Sequence, residues 1–165
     1  MKKKETMCNT IALDPATKTG YAIYQDGKIV KSGTWEFTEN NRQKNLYKNL
    51  SDAVIKYGIK KIVAEKVYRD ITKPVAEEVL IELRSIIMLV QQLFELEYIS
   101  FIPPTAAKYH LTGRATASKE AMIRAVQKLG YILKNNKADD EADAIAIMTA
   151  HIESWRGLLI HPVNH

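Results

Sequence analysis

The sequence predicts an α/β fold in which a mixed five-stranded sheet carries helices on both faces. Three short apolar runs open the chain, and the Asp26-Gly27 turn between the last two indicates antiparallel strands. Two more apolar runs follow, each after a segment of helical spacing, and such crossovers connect parallel strands. With 165 residues, 46% of them hydrophobic, the chain is long enough to build one core.

Strands are predicted where apolar residues end at turn signals. They span residues 8–14, 20–25, 28–37, 60–65 and 98–102. Helices are predicted where apolar residues recur three and four apart, with Gly58 and Gly130 as stop signals and Ser118 as an N-cap. They span about residues 40–57, 74–97, 118–130 and 139–155. Residues 105–117 are predicted to form a short turn or helix followed by a loop.

Residues 1–165 are predicted to form a single domain with short, loosely packed ends at about 1–6 and 157–165. The one cysteine, Cys8, excludes a disulfide framework and fits a reducing compartment. The run after the N-terminal lysines is too short and too polar for a signal peptide, and no stretch is apolar enough to span a membrane. We therefore expect a cytoplasmic protein without a membrane partner.

The helix predicted at 74–97 is apolar on more than one side. Pro74 suits its first turn. Beyond the stripe that faces the core, Ile81, Met88 and Leu89 extend the apolar surface. A helix of this kind is either deeply buried or packed on another subunit. Ile81, Met88 and Leu89 are therefore the candidate interface of a dimer.

Four carboxylates occupy positions from which they can converge. Asp14 ends the first predicted strand and Glu65 ends the fourth, and the crevice of such sheets lies beyond the carboxyl ends of parallel strands. Asp140 and Asp143 lie three residues apart at the start of the last helix, so they share a face. Converged carboxylates suit a hard metal ion. The combination predicts a metal-dependent phosphoryl-transfer enzyme.

Each carboxylate also has a purely structural explanation. Aspartate before proline is common in turns, which would explain Asp14, and a strand-end surface acid would explain Glu65. Acids are favoured in the first turn of a helix, which would explain Asp140. Asp143 is harder to explain in this way, because its neighbours are mostly Ala and Ile. The joint placement of all four favours a metal site.

The charge balance favours an anionic partner. The chain has 24 Lys and Arg against 19 Asp and Glu, a formal net charge of +5, and a basic surface attracts polyanions such as nucleic acids. A phosphate-binding track is predicted from four residues, with solvated surface side chains as the alternative for each. They are Lys108, Arg114, Lys119 and Arg124.

Three further DNA-binding candidates lie in the loop that follows Glu65. They are Tyr68, Arg69 and Lys73, close to the predicted cleft. An exposed tyrosine can stack on an unpaired base, and the alternative is a ring packed on the long helix. Stacking is the favoured interpretation for Tyr68.

Three motifs together resemble those of the RuvC-type Holliday junction resolvases. They are Leu13-Asp14-Pro15 with Thr19-Gly20-Tyr21, then Ala64-Glu65-Lys66-Val67-Tyr68, and then Asp140-Glu141-Ala142-Asp143-Ala144. Their order and spacing match the family from about residue 10 to residue 151. Lys108 and Lys119 also fall where the family has functional lysines. The small size and looser motifs favour a phage or prophage member.

The resemblance implies a ribonuclease H-like fold, a homodimer and paired nicks across a four-way DNA junction. It implies two Mg²⁺ ions per active site, for which Mn²⁺ is expected to substitute, in a cytoplasmic enzyme of a bacterium or a phage-infected host. The metal ligands that it implies are Asp14, Glu65, Asp140 and Asp143. It places Lys119 near the scissile phosphate, Lys108 in support of the cleft and Tyr68 near the junction centre.

Two positions depart from the family pattern. Ala16 stands where the family usually has glycine after Asp-Pro, so the turn after the first strand is expected to differ. Asp139 stands beside Asp140, so two neighbouring acids compete for one ligand position. Asp140 is preferred because it keeps the three-residue spacing to Asp143.

Three other functions compete with a strict resolvase. Residues 14–20 also resemble the phosphate loop of the actin and sugar-kinase fold, but such proteins usually need two domains, and Glu65 would be unexplained. We therefore expect no nucleotide cofactor. A junction-binding module without catalysis would not need the complete acidic set. A nuclease acting on flaps or other branched DNA has the same motifs, and the loops near 66–73 and 105–118 would decide between the two.

Overall fold

The computed structural model of the chain describes residues 7–68, 72–133 and 138–160. Five strands form one sheet in the order β3-β2-β1-β4-β5. The strands are β1 (Thr10–Asp14), β2 (Lys18–Gln25), β3 (Lys28–Glu36), β4 (Lys61–Glu65) and β5 (Ser100–Ile102). The helices are α1 (Arg42–Tyr57), α2 (Pro74–Leu93), α3 (Pro104–Thr112), α4 (Lys119–Lys128) and α5 (Asp139–Ile160).

The sheet is mixed, which confirms the predicted fold class. β2 pairs antiparallel with both β1 and β3, as the Asp26-Gly27 turn indicates. β4 pairs parallel with both β1 and β5, so each of these connections crosses the sheet through a helix. Leu13 lies opposite Ala64 in the β1–β4 register. The residues that follow them, Asp14 and Glu65, therefore lie at the same edge of the sheet.

Alternation along the strands builds a hydrophobic core on each face. Ile11 and Leu13 of β1 pack into the core formed with α1 and α2. Ala12, between them, points into the core formed with α3, α4 and α5. Ala22 and Ala142 also belong to that second core. Small side chains on both surfaces allow α5 to lie close to the sheet.

The ends of two helices differ from the prediction. α2 ends at Leu93 rather than near residue 97, because Glu95 adopts a left-handed conformation with φ 51°. This turn buries Leu96 and lets the backbone N–H of Glu97 donate to the carbonyl of Lys60 at 2.9 Å. α5 continues to Ile160, into the segment predicted to be loosely packed, while residues 1–6 and 161–165 lie outside the described residues.

The segment predicted as a turn or short helix is helical from Pro104 to Thr112. Proline suits the first turn of a helix, and Gly113, with φ 76°, ends this one. No helix in the described part of the chain is long and apolar enough to cross a membrane.

Candidate active site

Two strand ends and one helix start meet at one edge of the sheet. Asp14 and Glu65 arrive there on the neighbouring parallel strands β1 and β4. α5 begins at the same edge and packs against β1, β2 and β4. Its first turns carry Asp140 and Asp143. Elements far apart in sequence thus bring all four predicted carboxylates to one place.

Gly20 allows the start of α5 to approach the sheet. It lies on β2 directly opposite Asp14 of β1. A Cβ atom at Gly20 would overlap the backbone carbonyl of Asp140. The absence of a side chain at this position is therefore what permits Asp140 to lie beside Asp14.

The carboxylates line one cavity of about 280 Å³. Lys108 of α3 and Lys119 of α4 line it as well. The full lining set comprises Asp14, Glu65, Pro104, Ala107, Lys108, Lys119, Met122, Asp139, Asp140 and Asp143. The cavity thus unites the four predicted ligands with two predicted phosphate-binding lysines.

Burial and mutual repulsion raise the pKa of all four carboxyls. The pKa of Glu65 rises from 4.5 to about 7 and that of Asp143 from 3.8 to about 6, through burial first and then through neighbouring carboxylates. The pKa of Asp14 rises well above its usual value for the same reasons, and that of Asp140 also rises. A cluster of this kind is unfavourable when ionised without a counter-cation.

The donor atoms fit a hard divalent cation. All four side chains offer carboxylate oxygens, the ligands that Mg²⁺, Mn²⁺ and Ca²⁺ prefer. In the described part of the chain, however, no three Asp, Glu, His or Cys side chains are already arranged to hold a metal ion. Side-chain movement would therefore be needed before three of these carboxylates could contact one ion.

We expect Glu65→Gln to stabilise the metal-free protein at alkaline pH. Because the folded protein raises the pKa of Glu65 from 4.5 to about 7, protonated Glu65 favours folding at low pH, and this contribution is lost as the pH rises through that window. At about pH 8, removal of the carboxylate should raise the free energy of unfolding by on the order of 2 kcal/mol, allowing for partial exposure. Urea unfolding in EDTA measures the gain, which should shrink towards about pH 5.

The control for this prediction is Glu36→Gln, which removes an exposed acid that pairs with Lys18 at 3.9 Å. An exposed pair of this kind contributes little, so the control should leave stability almost unchanged. Equal unfolding free energies for wild type and Glu65→Gln at alkaline pH would contradict the proposed burial of charge.

Lys119 forms an ion pair with Asp139 at the rim of the cavity. This hydrogen bond lowers the pKa of the Asp139 carboxyl and raises the pKa of the Lys119 ammonium. Asp139 is thereby engaged by a lysine, whereas the pKa of neighbouring Asp140 is raised by burial and by the charge of Asp139. The contrast supports Asp140 as the acid available to a metal.

The turn after β1 accommodates Ala16 without strain. In the described residues the positive φ values outside glycine occur at Asp26 and Glu95, so Ala16 has an ordinary conformation. The buried hydroxyl of Thr19 donates to the carbonyl of Ala16 at 2.6 Å and closes the turn. Alanine at this position is therefore compatible with the turn that follows Asp14.

Sequence reasoning missed a contact that holds the start of α5 on the sheet. The hydroxyl of Ser32, on β3, donates to the carboxylate of Glu141 at 2.7 Å. Glu141 is 3% exposed and lies between the two acidic residues of the motif. A glutamate in a first helical turn resembles an ordinary dipole-stabilising acid, so the sequence alone offered no signal of its buried partner.

The other predicted DNA contacts are spread over several places. Tyr68 is 61% exposed and lines a second cavity of about 340 Å³ that shares Asp14 and Glu65 with the first. Lys73 directly precedes α2, and Arg69 lies outside the described residues. Arg114 lines a separate groove between α3 and α4. The structure therefore brings only part of the predicted DNA-binding set to the acidic cavity.

The predicted interface residues are on the outer surface of α2. Ile81, Met88 and Leu89 are 58%, 44% and 43% exposed, while Leu83 and Ile87 on the inner face are buried. In this chain the apolar surface beyond the core stripe is therefore available to a partner.

The sequence and the fold both resemble those of known nucleases. The family model described as crossover junction endodeoxyribonuclease RuvC matches residues 11–151. The chain belongs to this family. It is therefore a RuvC-family endodeoxyribonuclease of the class that resolves Holliday junctions, as the motifs indicated. RuvC-like nucleases use divalent metal ions. No curated protein matches the sequence.

Solved structures of two resolvases resemble this RuvC-family chain. Thermus thermophilus RuvC in complex with a Holliday junction substrate has a TM-score of 0.76 at 15% identity, over 92% of this chain and 96% of that one. A second Thermus thermophilus RuvC structure has a TM-score of 0.71 at 18% identity, over 90% and 96%. The yeast mitochondrial Holliday junction resolvase Ydc2 has a TM-score of 0.64 at 16% identity, over 98% and 84%. At these identities the likeness concerns the fold, and it confirms the ribonuclease H-like architecture.

Proposed function

We propose that the acidic cavity is the catalytic centre at which each subunit of this nuclease cuts one strand of a four-way DNA junction. The observation that carries the proposal is the convergence of Asp14, Glu65, Asp140 and Asp143 from three separate elements on one cavity. Two lysines complete the cavity wall, where an anionic substrate would enter. Family membership supplies the reaction class.

The four carboxylates would hold two Mg²⁺ ions, with Mn²⁺ as a substitute. Their all-oxygen donor set suits a divalent cation, and such a cation would relieve the repulsion between carboxylates that contributes to their raised pKa values. When bound, such ions supply Lewis-acid stabilisation of the phosphate and lower the pKa of water. Hydrolysis of a phosphodiester needs no nucleotide, so we expect no nucleotide cofactor.

The lysines bind and orient the scissile phosphate in this proposal. Lys119 is exposed and held at the rim by Asp139, so its ammonium can pair with a non-bridging phosphate oxygen. Lys108 also lines the cavity, where its charge already offsets those of Glu65 and Asp143. Both lysines place positive charge where the transition state gains negative charge.

The adjoining cavity would receive the junction centre. Tyr68 presents an exposed ring there, beside Lys66, whose ammonium lies 5.5 Å from the ring centroid. An unpaired base can stack on such a ring. Arg69 and Lys73, in the same connection between β4 and α2, would add contacts to the DNA backbone. The substrate and the free thiol of Cys8 fit a cytoplasmic location.

Paired cleavage of a junction requires two active sites. A homodimer supplies them in the two-fold arrangement that the junction strands share. The exposed apolar surface of α2 is the interface that we propose, with Ile81, Met88 and Leu89 at its centre. Its burial in a dimer would explain why Ile81, Met88 and Leu89 are exposed on α2, which exposes two further large apolar side chains, Val75 and Leu93.

Met88→Lys and Leu89→Lys are expected to yield monomers. A charge buried in an apolar interface without a partner costs several kcal/mol, enough to separate a dimer at micromolar concentration. Light scattering measures the mass, and Ile55→Lys, at a 69% exposed position of α1, is the matched control. A dimeric Met88→Lys protein would contradict this interface.

A nicking assay tests the proposed function. A mobile four-way junction, a linear duplex, a flap and an RNA–DNA hybrid of matched sequence are incubated with Mg²⁺ and wild type or Asp14→Asn. Symmetric cuts confined to the junction, and lost in the variant, are expected. Cuts in flaps as well would identify a nuclease of wider substrate range, and binding without any cleavage would identify a non-catalytic junction-binding module.

A further inference from the structure

The outer strand of the sheet has an open edge. β3 is the last strand on its side of the sheet, and in the described part of the chain no strand pairs with its outer side. Alternate backbone N–H and C=O groups of an edge strand point outwards and can pair with a further strand. β3 has nine residues, whereas β5, at the opposite edge, has three. β3 is therefore long enough to pair with an extended segment.

A bulge limits the part of this edge that can pair regularly. Val30 has no partner on β2, because the register of the two strands shifts between Ile23 and Tyr24. A bulge disrupts the hydrogen-bond ladder around it. Regular pairing is therefore available from Lys31 to Glu36, a stretch of about 20 Å at the usual rise of a strand.

An aromatic pocket adjoins this stretch on the face of the sheet that packs on α1. Tyr21 of β2 stacks on Trp35 of β3, with ring centroids 4.5 Å apart. The Tyr21 ring lies over Gly33, where a Cβ atom would meet its hydroxyl oxygen at 2.9 Å. The two rings, Lys31 of β3 and Lys56 of α1 line a pocket of about 140 Å³. Small-molecule pockets measure about 300–1,000 Å³, so this one suits a single side chain.

The two lysines leave positive charge at the pocket. Lys31 and Lys56 are exposed, and the ion pairs within the described ranges involve other lysines. Asp52 also lines the pocket, but it is paired with Lys48 at 2.7 Å. Glu36, at the end of β3, is paired with a lysine of β2. An acidic partner would therefore complement the charge of this site.

The edge and its charge also discriminate between kinds of partner. Pairing with β3 of a second copy would bring the lysines of both copies together, and edge lysines oppose such self-pairing. Phosphate oxygens of nucleic acid only accept hydrogen bonds, so they would leave the outward carbonyls of β3 without donors. A peptide strand supplies both donors and acceptors. An extended polypeptide therefore matches the edge, the pocket and the charge together.

We propose that the outer edge of β3 and its aromatic pocket bind an extended acidic segment of another protein by strand addition. One large apolar side chain of the segment enters the pocket, and acidic side chains two residues to either side lie beside Lys31 and Lys56. Residues two apart on a strand share a face, so one alternating stretch meets these requirements. The residues that line this pocket differ from those that line the acidic cavity, so a bound partner leaves that cavity open.

The probe is the peptide Thr-Glu-Thr-Phe-Thr-Glu-Thr, blocked at both ends. It carries one aromatic side chain with an acid two residues to either side. Titration into the isotopically labelled 165-residue chain, followed by NMR, should shift the backbone amides of residues 31–36 and the indole N–H of Trp35. We expect saturation with a Kd of about 1 mM. The same peptide with every backbone nitrogen methylated keeps its side chains but cannot donate, and it should not bind.

A charge exchange tests the electrostatic part of the proposal. Lys31→Glu should weaken binding of the acidic probe roughly 5-fold and strengthen binding of a probe that carries lysine in place of glutamate. Lys44→Glu is the matched control, because this lysine of α1 is exposed and does not line the pocket. It should leave both affinities almost unchanged. Thermal unfolding verifies that both variants fold.

Absence of saturable shifts on β3 at about 5 mM peptide would overturn the proposal. Equal binding of the methylated peptide would also overturn it, since strand addition needs the backbone donors. Shifts on β3 caused by a linear DNA duplex but not by the peptide would assign the surface to nucleic acid instead. Shifts that depend on protein concentration alone would assign it to a second copy. These measurements need neither metal nor cleavage, so their outcome is independent of the proposed function.

Discussion

Amide substitution of Asp14, Glu65, Asp140 or Asp143 is expected to lower the rate of junction cleavage by at least about 100-fold. Loss of a residue that only hydrogen-bonds a metal ligand costs about 10–100-fold, and loss of a ligand itself should cost more. Each amide removes one charge and one strong donor from the cavity that all four carboxylates line. Gel-based nicking with Mg²⁺ at saturating protein measures the rate. Junction binding in EDTA should be retained or strengthened, because the change removes negative charge near phosphate.

Asp139→Asn is the informative comparison for this series. Asp139 lines the same cavity but is engaged by Lys119, so its loss should act through the position of that lysine and cost about 10-fold, as for an outer partner. Asp52→Asn, at an exposed acid that pairs with Lys48 on α1, should leave cleavage unchanged. A larger loss for Asp139→Asn than for Asp140→Asn would exchange the roles of these neighbours. Loss of junction binding in all four amides would show that the acids are structural.

Gly20→Ala is expected to disrupt the site without touching a charged residue. The added Cβ would overlap the backbone carbonyl of Asp140, so either α5 must move from the sheet or β2 must shift. Overpacking in a core typically costs about 1–3 kcal/mol, and this contact with rigid backbone should lie at the upper end or beyond it. Urea unfolding measures the loss of stability, and the Mg²⁺ concentration needed for half-maximal cleavage should rise as Asp140 moves.

Gly27→Ala serves as the matched control. Gly27 has a φ of 87° in the β2–β3 turn, and a Cβ there would meet nothing within 4 Å. Its replacement should cost about 1 kcal/mol through backbone strain and leave the Mg²⁺ dependence unchanged. Wild-type stability and wild-type Mg²⁺ dependence in Gly20→Ala would contradict the close approach of α5 to β2.

The contact between Ser32 and Glu141 also fixes the start of α5. It attaches the first turn of α5 to the outer strand β3, while Gly20 sets the distance of α5 from β2. Together they position Asp140 and Asp143 relative to the strand-end acids. Ser32, Glu141 and Gly20 therefore position the acidic side chains without lining the cavity themselves.

Local chemistry made most of the fold predictable. Asp26-Gly27 identified a hairpin, helical spacing identified the helices, and the turn signals placed most element ends within a few residues. The end of α2 was missed because a left-handed Glu95 and a backbone bond to Lys60 depend on a strand start far away in sequence. Strand polarity also made the meeting of Asp14 and Glu65 predictable, since parallel neighbours end at one edge.

The sequence by itself determined the sheet, its two covered faces and the candidate acids, because these follow from short-range periodicity and from the order of strands and helices. Only the tertiary structure decided that Lys119 engages Asp139, that Ser32 holds Glu141 and that Arg114 belongs to a separate groove. These contacts join side chains that local patterns cannot relate, 20 residues apart for the first and 109 apart for the second. The contact between Ser32 and Glu141 depends on how closely the start of α5 approaches the sheet, and the missing Cβ atom at Gly20 permits that approach.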